Sequence, residues 1–275
     1  MRVFSSGRAY DRAMTAVPTF TQVADGIWTA TATIWTSLTT AVVAPHGACL
    51  LIDPGISLAE LDARAHEAIR RGWRVTAGFA THPHWDHVLW HQAWCGAPRW
   101  ATAEAVEAQR RTRDADLAAA DAATPGHDPA LFGRLTALPA DATELPWDGP
   151  QAVIVRHRAH APGHAALVLP HAATLLAGDM LSDLEIPLLD TDAADPLDDY
   201  RAALDTLERA AADHGVRTVI PGHGHVGDGA ELARRLAADR RSLEALARGR
   251  TPDADRLRTP WLAEEHRKHV ERLRH

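Results

Sequence analysis

Four side chains that commonly bind metals occur within six positions of this sequence, in the segment His-Pro-His-Trp-Asp-His at 82–87. The segment follows a strand-like run at 74–81. An extended chain would point the first two histidines to the same side, and Pro83 favours that conformation in the residue before it. A helix-like stretch begins at Asp86, whose carboxylate suits a helix N-terminus. A solvated polar turn would leave this spacing unexplained, so the segment predicts half of a metal site.

Further ligands are expected at other strand ends, because four side chains in one loop are too few for two metals. Three later segments carry a glycine beside a potential ligand, directly after an apolar run, as a tight turn at a sheet edge would. These segments lie at 158–164, 177–180 and 221–225. In the first of them, both His160 and His164 could supply the ligand.

The order of strand-like and helix-like segments predicts one domain, 1–275, with a layered α/β fold in which helices cover sheets. Strand patterns occur at 26–35, 41–55, 74–81, 151–158, 165–170, 173–179 and 216–224. Helix patterns occur at 58–72 and 195–215. The Ala-rich section 101–147 is predicted to be an inserted helical cap. The charged section 229–275 is predicted to be a helical C-terminal tail with solvated His266 and His269.

Charge and apolar runs limit the partners and the location of the protein. A formal net charge of −7, with no run of Lys or Arg, disfavours nucleic acid as a partner, because phosphate binding requires a basic face. No apolar run reaches the ~18 residues of a membrane span, and the first 20 residues lack the apolar stretch of a signal peptide. Cys49 and Cys95 are expected to be reduced thiols in the core. We therefore predict a cytoplasmic protein that acts on a small molecule, without nucleic-acid or membrane contacts.

The motifs and their order resemble those of the metallo-β-lactamase superfamily of metal-dependent hydrolases. The segment at 82–87 has the family's H-x-H-x-D-H signature, and Leu-Ile-Asp-Pro-Gly at 51–55 is similar to its first motif. Gly-Asp at 178–179 and Pro-Gly-His-Gly at 221–224 are similar to its later motifs. The resemblance extends from about residue 26 to residue 225. It implies an α/β fold, the four-layer αββα sandwich of this family.

The resemblance also implies a site for two divalent metal ions, expected to be zinc, with iron or manganese as alternatives. One ion would be bound by His82, His84 and His160, and the other by Asp86, His87 and His223. Asp179 would bridge the two ions. Aligned without gaps, the segment 160–167 matches the family's third motif, which favours His160 over His164 as its ligand.

Four more residues are expected around the ligands. By resemblance, Asp53 would orient a ligand, and His164 would lie beside the ligands if it is not one itself. His225 is a further candidate because it follows the last motif closely. Trp85, inside the signature, either packs a helix against the sheet or lines the apolar mouth of a substrate pocket.

The activity that the resemblance implies is hydrolysis. Two metals would share a hydroxide that attacks the carbonyl of an ester, thioester or lactone, with Asp86 and Asp179 as the catalytic carboxylates. The bridging Asp179 makes the ligand set more similar to those of glyoxalase II and lactonases than to that of true β-lactamases. Two alternatives stay open, a persulfide dioxygenase with one iron and a hydrolase of β-lactams. The charged C-terminal section also allows a homo-oligomer.

Overall fold

The computed structural model describes residues 19–252 and 255–273, which form two β-sheets and five α-helices. In chain order and in spatial order, the first sheet contains Thr21–Ala24 (β1), Ile27–Thr31 (β2), Leu38–Val43 (β3), Ala48–Ile52 (β4), Arg74–Phe79 (β5), Arg99–Ala101 (β6) and Thr136–Ala137 (β7). The second sheet contains Val153–Arg156 (β8), Ala165–Leu169 (β9), Thr174–Gly178 (β10), Thr218–Pro221 (β11) and Gly227–Asp228 (β12), in the spatial order β12-β11-β10-β9-β8. The helices are Leu58–Arg70 (α1), Ala103–Ala123 (α2), Pro196–Asp213 (α3), Gly229–Ala247 (α4) and Pro260–Arg272 (α5). The expectation about a signal peptide concerns 1–18, outside the described residues.

Parallel strand pairs bring several strand ends to one edge of the fold. In the first sheet, β1 to β4 are antiparallel neighbours and β4 to β7 are parallel. In the second sheet, β10 pairs parallel with β11, and the other pairs are antiparallel. Helix α1 connects β4 to β5 and α3 connects β10 to β11, because parallel neighbours need a crossover connection. Loops at the carboxyl ends of such strands are where α/β folds build their sites.

The layers follow from the alternation of side chains along the strands. In β4, Cys49 and Leu51 face the apolar cluster that α1 and α2 complete, whereas Leu50 and Ile52 face the second sheet. Leu167 of β9 lies in the same inter-sheet cluster, and its neighbours in the strand face α3 and α4. The order helix, sheet, sheet, helix confirms the predicted α/β fold and its four-layer αββα sandwich.

The first turn of α1 holds the loop at 32–37 in place. Ser57 caps the helix by accepting a hydrogen bond from the Glu60 backbone, and the Glu60 carboxylate accepts one from the Ser57 N–H at 2.9 Å. The other Glu60 oxygen accepts from the backbone N–H and the hydroxyl of Thr33, at 3.0 and 3.2 Å. Burial raises the pKa of the Glu60 carboxyl, but these donors outweigh it and the pKa lies below its ordinary value. The loop is therefore anchored by an ionised carboxylate.

The helical prediction for 101–147 is wrong beyond Ala123. Helix α2 ends there, and the chain from 124 to 147 consists of turns, loops and the short strand β7. Prolines at positions 125, 129, 139 and 146 prevent a continuous helix, because each lacks the backbone N–H that a helix interior needs. The assignment of this section as a cap insertion stays a prediction.

The C-terminal section is largely helical, as predicted, and it packs against the fold. It contains α4, a 3₁₀ turn at Asp255–Arg258 and α5. Leu262 of α5 packs against Ile186 and Leu188, which follow β10 in the chain. The two histidines of α5 that were expected in solvent are buried. Helix α5 has one apolar face although the section is highly charged. That face packs against the fold and so determines the position of α5.

The expectations from composition have a mixed outcome. Cys49 is buried in β4, but Cys95 is exposed, so the prediction of two core thiols is wrong for Cys95. Throughout the described part of the chain, each helix is too short or too polar to cross a membrane. The cytoplasmic location stays a prediction.

Candidate metal centre

The seven residues of the predicted ligand set meet at the edge where the parallel strands end. The segment at 82–87 follows β5, Asp179 follows β10 directly, and His223 follows β11. His160 lies in the connection between β8 and β9. The two sheets therefore each contribute ligands to one place.

A first group of four side chains can bind one metal ion. One ligand atom from each of His82, His84, His160 and Asp179 lies within 4.8 Å of the others. His84 Nδ1 is 3.0 Å from His82 Nε2 and 3.1 Å from His160 Nε2. Asp179 Oδ2 is 3.1 Å from His160 Nε2 and 3.5 Å from His82 Nε2. Imidazole nitrogens with a carboxylate oxygen are donors that zinc accepts.

A second group, next to the first, contains Asp86, His87 and His223. Their ligand atoms also lie within 4.8 Å of one another. His87 Nε2 and His223 Nε2 are 3.3 Å apart, and Asp86 Oδ2 lies 3.4 Å from each of them. All three side chains are buried. This distribution of residues over two groups is the one that the resemblance implies.

Asp179 contacts both groups. Its Oδ1 lies 3.2 Å from His87 Nε2, and its Oδ2 lies 3.3 Å from His223 Nε2 and 3.1 Å from His160 Nε2. The neighbouring position 222 has to be glycine, because a Cβ there would lie 2.2 Å from Asp179 Oδ1. The carboxylate therefore occupies the position of a ligand that two metal ions could share.

The candidate ligand atoms are arranged to bind divalent metal ions and not to form hydrogen bonds with one another. Within residues 19–252 and 255–273, Oδ2 of Asp86 and both carboxylate oxygens of Asp179 are buried without a hydrogen-bond partner. Buried polar atoms normally have partners, so these oxygens fit a site for a cation. Several imidazole nitrogens also approach one another at 3.0 to 3.3 Å, a convergence that suits donors arranged around a shared cation. Two ions that accept nitrogen and oxygen donors, such as zinc, iron or manganese, would satisfy this set.

Without metal ions, the charges of the centre form ion pairs. Burial lowers the pKa of the His87 and His223 imidazoles, but Asp179 and neighbouring carboxylates outweigh it, and both pKa values lie well above the ordinary range. Burial raises the pKa of the Asp179 carboxyl, but His223 and His87 outweigh it and hold this pKa well below its ordinary value. The pKa of Asp86 is low in spite of burial, mainly because of His87. Both carboxylates are therefore ionised at neutral pH and can bind cations.

A chain of contacts that ends at Asp53 orients His82 and His87. His82 Nδ1 is 3.0 Å from the Thr81 hydroxyl, which donates to Asp53 Oδ2 at 2.8 Å. The Thr81 oxygen is then left to accept, so Nδ1 of His82 carries the hydrogen and Nε2 has the free lone pair. Asp53 Oδ2 is also 2.9 Å from His87 Nδ1. Asp53 thus contacts one candidate ligand directly and a second through Thr81, as partners that orient metal-binding imidazoles do.

Backbone and hydroxyl partners orient His160 and His223. His160 Nδ1 donates to the Leu188 carbonyl at 3.0 Å, with the His160 backbone in the left-handed region at φ 70°. His223 Nδ1 lies 3.1 Å from the Ser37 hydroxyl and 3.3 Å from the Trp35 carbonyl. In both residues Nε2 is left to face the ligand groups.

His164, the other candidate in the third segment, lies behind the first group. Its Nδ1 donates to the Ala159 carbonyl at 3.2 Å, and its ring centroid is 4.9 Å from that of His82. It belongs to neither group of converging ligand atoms, whereas His160 does. The geometry therefore brings His160 to the centre and leaves His164 as packing behind His82.

The structure favours the packing alternative for Trp85 and places His225 away from the ligands. Trp85 begins a 3₁₀ turn that directs its side chain into the core on the helical side of the first sheet, where it is 5% exposed. The adjacent Trp35 borders the open cavity beside the centre instead. The His225 side chain is 65% exposed, and its Nδ1 lies 2.8 Å from Asp183 Oδ2. It follows Gly224, whose φ of 111° turns the chain away from the ligands.

Several residues that position the ligands carry no motif. Ser37 forms a β-bridge with His223 although 186 residues separate them. Trp35 and the Leu188 carbonyl reach the centre only because the fold brings their loops there. Thr81 did carry a signal, since it is a hydroxyl residue between the strand and the first histidine.

A comparison with protein families agrees with this geometry. The model of the metallo-β-lactamase superfamily matches residues 34–223, about two thirds of the chain. The chain belongs to the metallo-β-lactamase superfamily. The matched region of this superfamily member includes both groups of candidate ligands. Among curated proteins, none matches the chain significantly.

Solved structures share the fold of this superfamily member at low sequence identity. DIM-1 metallo-β-lactamase exposed to ceftazidime is 16% identical, with a TM-score of 0.58, and the match covers 81% of this chain and 96% of that one. A metallo-β-lactamase from Erythrobacter litoralis, with β-mercaptoethanol in its active site, is 18% identical, with a TM-score of 0.58 and coverage of 84% and 99%. A β-lactamase domain protein from Burkholderia ambifaria is 20% identical, with a TM-score of 0.61 and coverage of 87% and 80%. These likenesses show the metallo-β-lactamase fold alone.

Proposed function

We propose that this superfamily member is a dinuclear metal-dependent hydrolase that cleaves an ester, a thioester or a lactone. The observation that carries the proposal is the Asp179 carboxylate, which lies 3.1 to 3.3 Å from imidazole nitrogens of both ligand groups. A structural zinc site has one closed shell of four ligands. Seven converging donors in two groups instead suit two ions with open positions.

The metal-binding roles follow from the two groups. We assign the first ion to His82, His84 and His160, the second ion to Asp86, His87 and His223, and the shared position to Asp179. Zinc is the expected ion, and iron or manganese would suit the same donors. When bound, two such ions supply an acidified water as the nucleophile and polarise the carbonyl of the substrate.

The surrounding side chains orient the candidate ligands and keep two carboxylates ionised. Asp53 fixes the direction of His87 directly and of His82 through Thr81. Asp86 and Asp179 stay ionised against the effect of burial, because nearby imidazoles lower their pKa values. Both carboxylates would therefore be available to bind the ions without first losing a proton.

Hydrolysis of β-lactams is the second candidate function. It is favoured by the fold that the chain shares with DIM-1 and with the Erythrobacter litoralis enzyme. The carboxylate at Asp179 favours the ester-type reaction instead, because a shared aspartate is typical of the glyoxalase II and lactonase branches. A persulfide dioxygenase with one iron would leave the second group, Asp86, His87 and His223, without a function.

Metal analysis with a substrate panel tests the proposal. The purified protein is expected to contain about two zinc, iron or manganese ions per chain and to hydrolyse an ester, thioester or lactone faster than a β-lactam. Asp179→Asn should lower both the metal content and the rate. Asp213→Asn, an exposed substitution at the end of α3, should change neither. One iron per chain with oxygen uptake on a persulfide, or turnover of β-lactams alone, would contradict the proposal.

A further inference from the structure

A cavity of about 720 Å³ opens between α4 and the chain that connects α4 to α5. None of the seven candidate metal ligands lines it. It is also lined by Ser182 and Asp183, which follow the candidate ligand Asp179 by three and four residues. The cavity is therefore separate from the metal centre but borders the segment that leaves it. We name it the α4–α5 cavity.

One face of α4 forms a wall of this cavity. The face has small side chains at Ala238, Ser242 and Ala245, which lie on successive turns of the helix. After the helix, the chain reverses at Gly249, whose φ is 62°, and the Arg250 N–H donates to the Ala245 carbonyl at 2.8 Å. The cavity forms because a returning chain runs along a helix face whose side chains are too small to fill the space.

Arg256 holds the returning chain against α4. Its Nη1 lies 2.6 Å from Asp239 Oδ1. The same atom donates to the Glu185 carbonyl at 2.8 Å, and Nη2 donates to Ser242 Oγ at 3.2 Å. The Arg256 side chain is only 10% exposed. These contacts fix the second wall of the cavity, and they use the charge of Arg256 within the protein.

Arginine is the commonest residue type in the described lining. The six arginines are Arg234, Arg235, Arg241, Arg248, Arg250 and Arg256. Positions 234, 241 and 248 are seven residues apart, so they lie on one side of α4, with about 10 Å between neighbours along the helix axis. Arg250 adds a guanidinium from the returning chain. The lining therefore carries positive charge on both walls.

Three of the six arginines are paired with carboxylates of the protein. Arg235 Nε lies 3.3 Å from Glu231 Oε2, and Arg234 pairs with the same carboxylate. Arg235 Nη2 is also 3.7 Å from Asp183 Oδ1. With the pair between Arg256 and Asp239, these contacts neutralise half of the positive charge in the lining.

The other three arginines have no such counter-ion. Within residues 19–252 and 255–273, Arg241, Arg248 and Arg250 form no ion pair, and all three side chains are exposed. The Asp255 carboxylate pairs with an arginine outside the lining, which leaves Glu244 as the carboxylate that faces the three guanidiniums. The described lining therefore has an excess of positive charge that can attract an anion.

We propose that the α4–α5 cavity binds a small molecule of nucleotide size through its phosphate groups. Guanidiniums bind phosphate oxygens by paired hydrogen bonds, and an arginine without a counter-ion can do so without breaking an existing ion pair. Three such arginines on two walls suit a ligand with more than one phosphate. The volume of about 720 Å³ lies within the ~300–1,000 Å³ of small-molecule sites.

Isothermal titration calorimetry with adenosine diphosphate (ADP) and the metal-loaded protein tests this proposal. Adenosine, which has no phosphate, should bind at least ~10-fold more weakly than ADP. Inorganic phosphate should also bind more weakly, because it fills little of the cavity. An increase in salt from about 0.05 M to about 0.3 M should weaken ADP binding, since exposed charges are screened.

Substitutions on α4 locate the binding site. Arg241→Gln and Arg248→Gln should each weaken ADP binding by about 3- to 10-fold, and the double variant should weaken it by at least ~10-fold. Both side chains are exposed, so the melting temperature and the zinc content should not change. Arg110→Gln, an exposed substitution on α2 outside the lining, should leave the ADP affinity unchanged.

Several results would overturn the proposal. Unchanged ADP affinity in the double variant would mean that the nucleotide binds elsewhere, such as at the metal centre. Adenosine or inorganic phosphate that binds as tightly as ADP would exclude a nucleotide-sized, phosphate-directed site. Single-stranded DNA that binds more tightly than ADP and loses affinity in the same variant would make the cavity part of a nucleic-acid surface. Expected ADP binding by a protein without hydrolase activity would contradict only the proposed function, because the cavity uses none of the candidate metal ligands.

Discussion

Four imidazoles of the candidate centre have one ring nitrogen engaged by the fold, so that the other is left for a metal. The partners are the Thr81 hydroxyl at His82, the Asp53 carboxylate at His87, the Leu188 carbonyl at His160 and the Ser37 hydroxyl at His223. These contacts fix the direction of each ring before an ion binds, with the other nitrogen facing the ligand groups. The site is therefore organised by residues that would never touch the metal.

Asp53→Asn tests this organisation at one residue. Asn tolerates the left-handed backbone of residue 53, at φ 48°, so the fold should be retained. The neutral amide cannot pair with His87 as the carboxylate does, and zinc affinity measured by chelator competition should fall by about 10- to 100-fold. Asp62→Asn, an exposed substitution on α1, should not change it. An unchanged affinity in Asp53→Asn would contradict the orienting role.

The buried His269 predicts a loss of stability in acid. Burial lowers the pKa of His269 to about 4, whereas an unfolded histidine titrates near ~6.5. As the pH falls, the unfolded chain takes up the proton first, so stability decreases between about pH 6.5 and pH 4. At pH 5 this residue should destabilise the fold by about 2 kcal/mol relative to pH 7.5.

Unfolding in urea at pH 7.5 and pH 5 measures this effect as a difference between variants. His269→Gln keeps an acceptor for the Leu189 N–H, which His269 Nε2 accepts at 3.4 Å, and removes the titration. The variant should lose about 2 kcal/mol less than the parent between the two pH values. His66→Gln, an exposed change on α1, should follow the parent, and equal slopes for all three proteins would refute the assignment.

Individual ligands were predictable from sequence where a motif follows a strand. The residues that position these ligands were not predictable. The positions of Asp179 and His223 could be predicted because each follows an apolar strand beside a glycine. The choice between His160 and His164 depended on the path of the β8–β9 connection, which spacing alone does not determine. Trp35 has no motif, and its contact with His223 spans 188 residues of chain.

At the scale of elements, the C-terminal helix determines the position of a ligand that it does not carry. Leu262 of α5 packs against Ile186 and Leu188, and the Leu188 carbonyl accepts the hydrogen bond of His160 Nδ1. Charge patterning predicted a solvated helix here because the apolar face is narrow. Packing against the segment after β10 makes this helix a support of the first ligand group.

Leu262→Ala tests the connection between α5 and the centre. Removal of a buried leucine side chain should lower the free energy of unfolding by about 2 to 5 kcal/mol, and the loosened Leu188 carbonyl should also lower zinc affinity. Leu246→Ala, at a buried position of α4, should lower stability similarly and leave zinc affinity unchanged. Equal zinc affinities in the two variants would show that α5 supports only the fold.

At the scale of the whole molecule, the candidate centre joins the two halves of the sandwich. The ligands at 82–87 follow a strand of the first sheet, and Asp179 and His223 follow strands of the second. The loop at 36–38 adds backbone hydrogen bonds across the same edge, from Leu38 N–H to the Gly222 carbonyl at 2.7 Å. A bound ion would therefore cross-link the sheets at this edge.

Metal removal should consequently lower the stability of the whole fold. A ligand that binds only the folded state at 100 times its Kd stabilises by about 2.7 kcal/mol per site, so two zinc ions should contribute about 5 kcal/mol. Thermal unfolding after chelation and after addition of zinc measures the difference. Magnesium, which prefers oxygen donors, should not restore the loss. A melting temperature that is independent of zinc would contradict a centre that spans both sheets.

The fold was more predictable than the substrate site, and the reason is physical. Motif order and strand alternation are properties of short segments, and they sufficed for the four-layer sandwich. The open cavity lined by Trp35, Leu184 and Trp261 instead combines three segments that are far apart in the chain, so no local pattern encodes it. The section after α2 was also predicted incorrectly, because prolines at 125 and 129 outweighed a composition that favours helix.

The spread of the ligands along the chain also sets a time at which the metal can bind. During synthesis, His87 leaves the ribosome 136 residues before its partner His223. A nascent chain therefore exposes the early histidines while the rest of the centre does not yet exist, and an ion captured then has few ligands to retain it. Tight metal binding requires that β11 and the residues after it have been synthesised. A tightly bound ion would therefore mark a chain whose two halves have already come together.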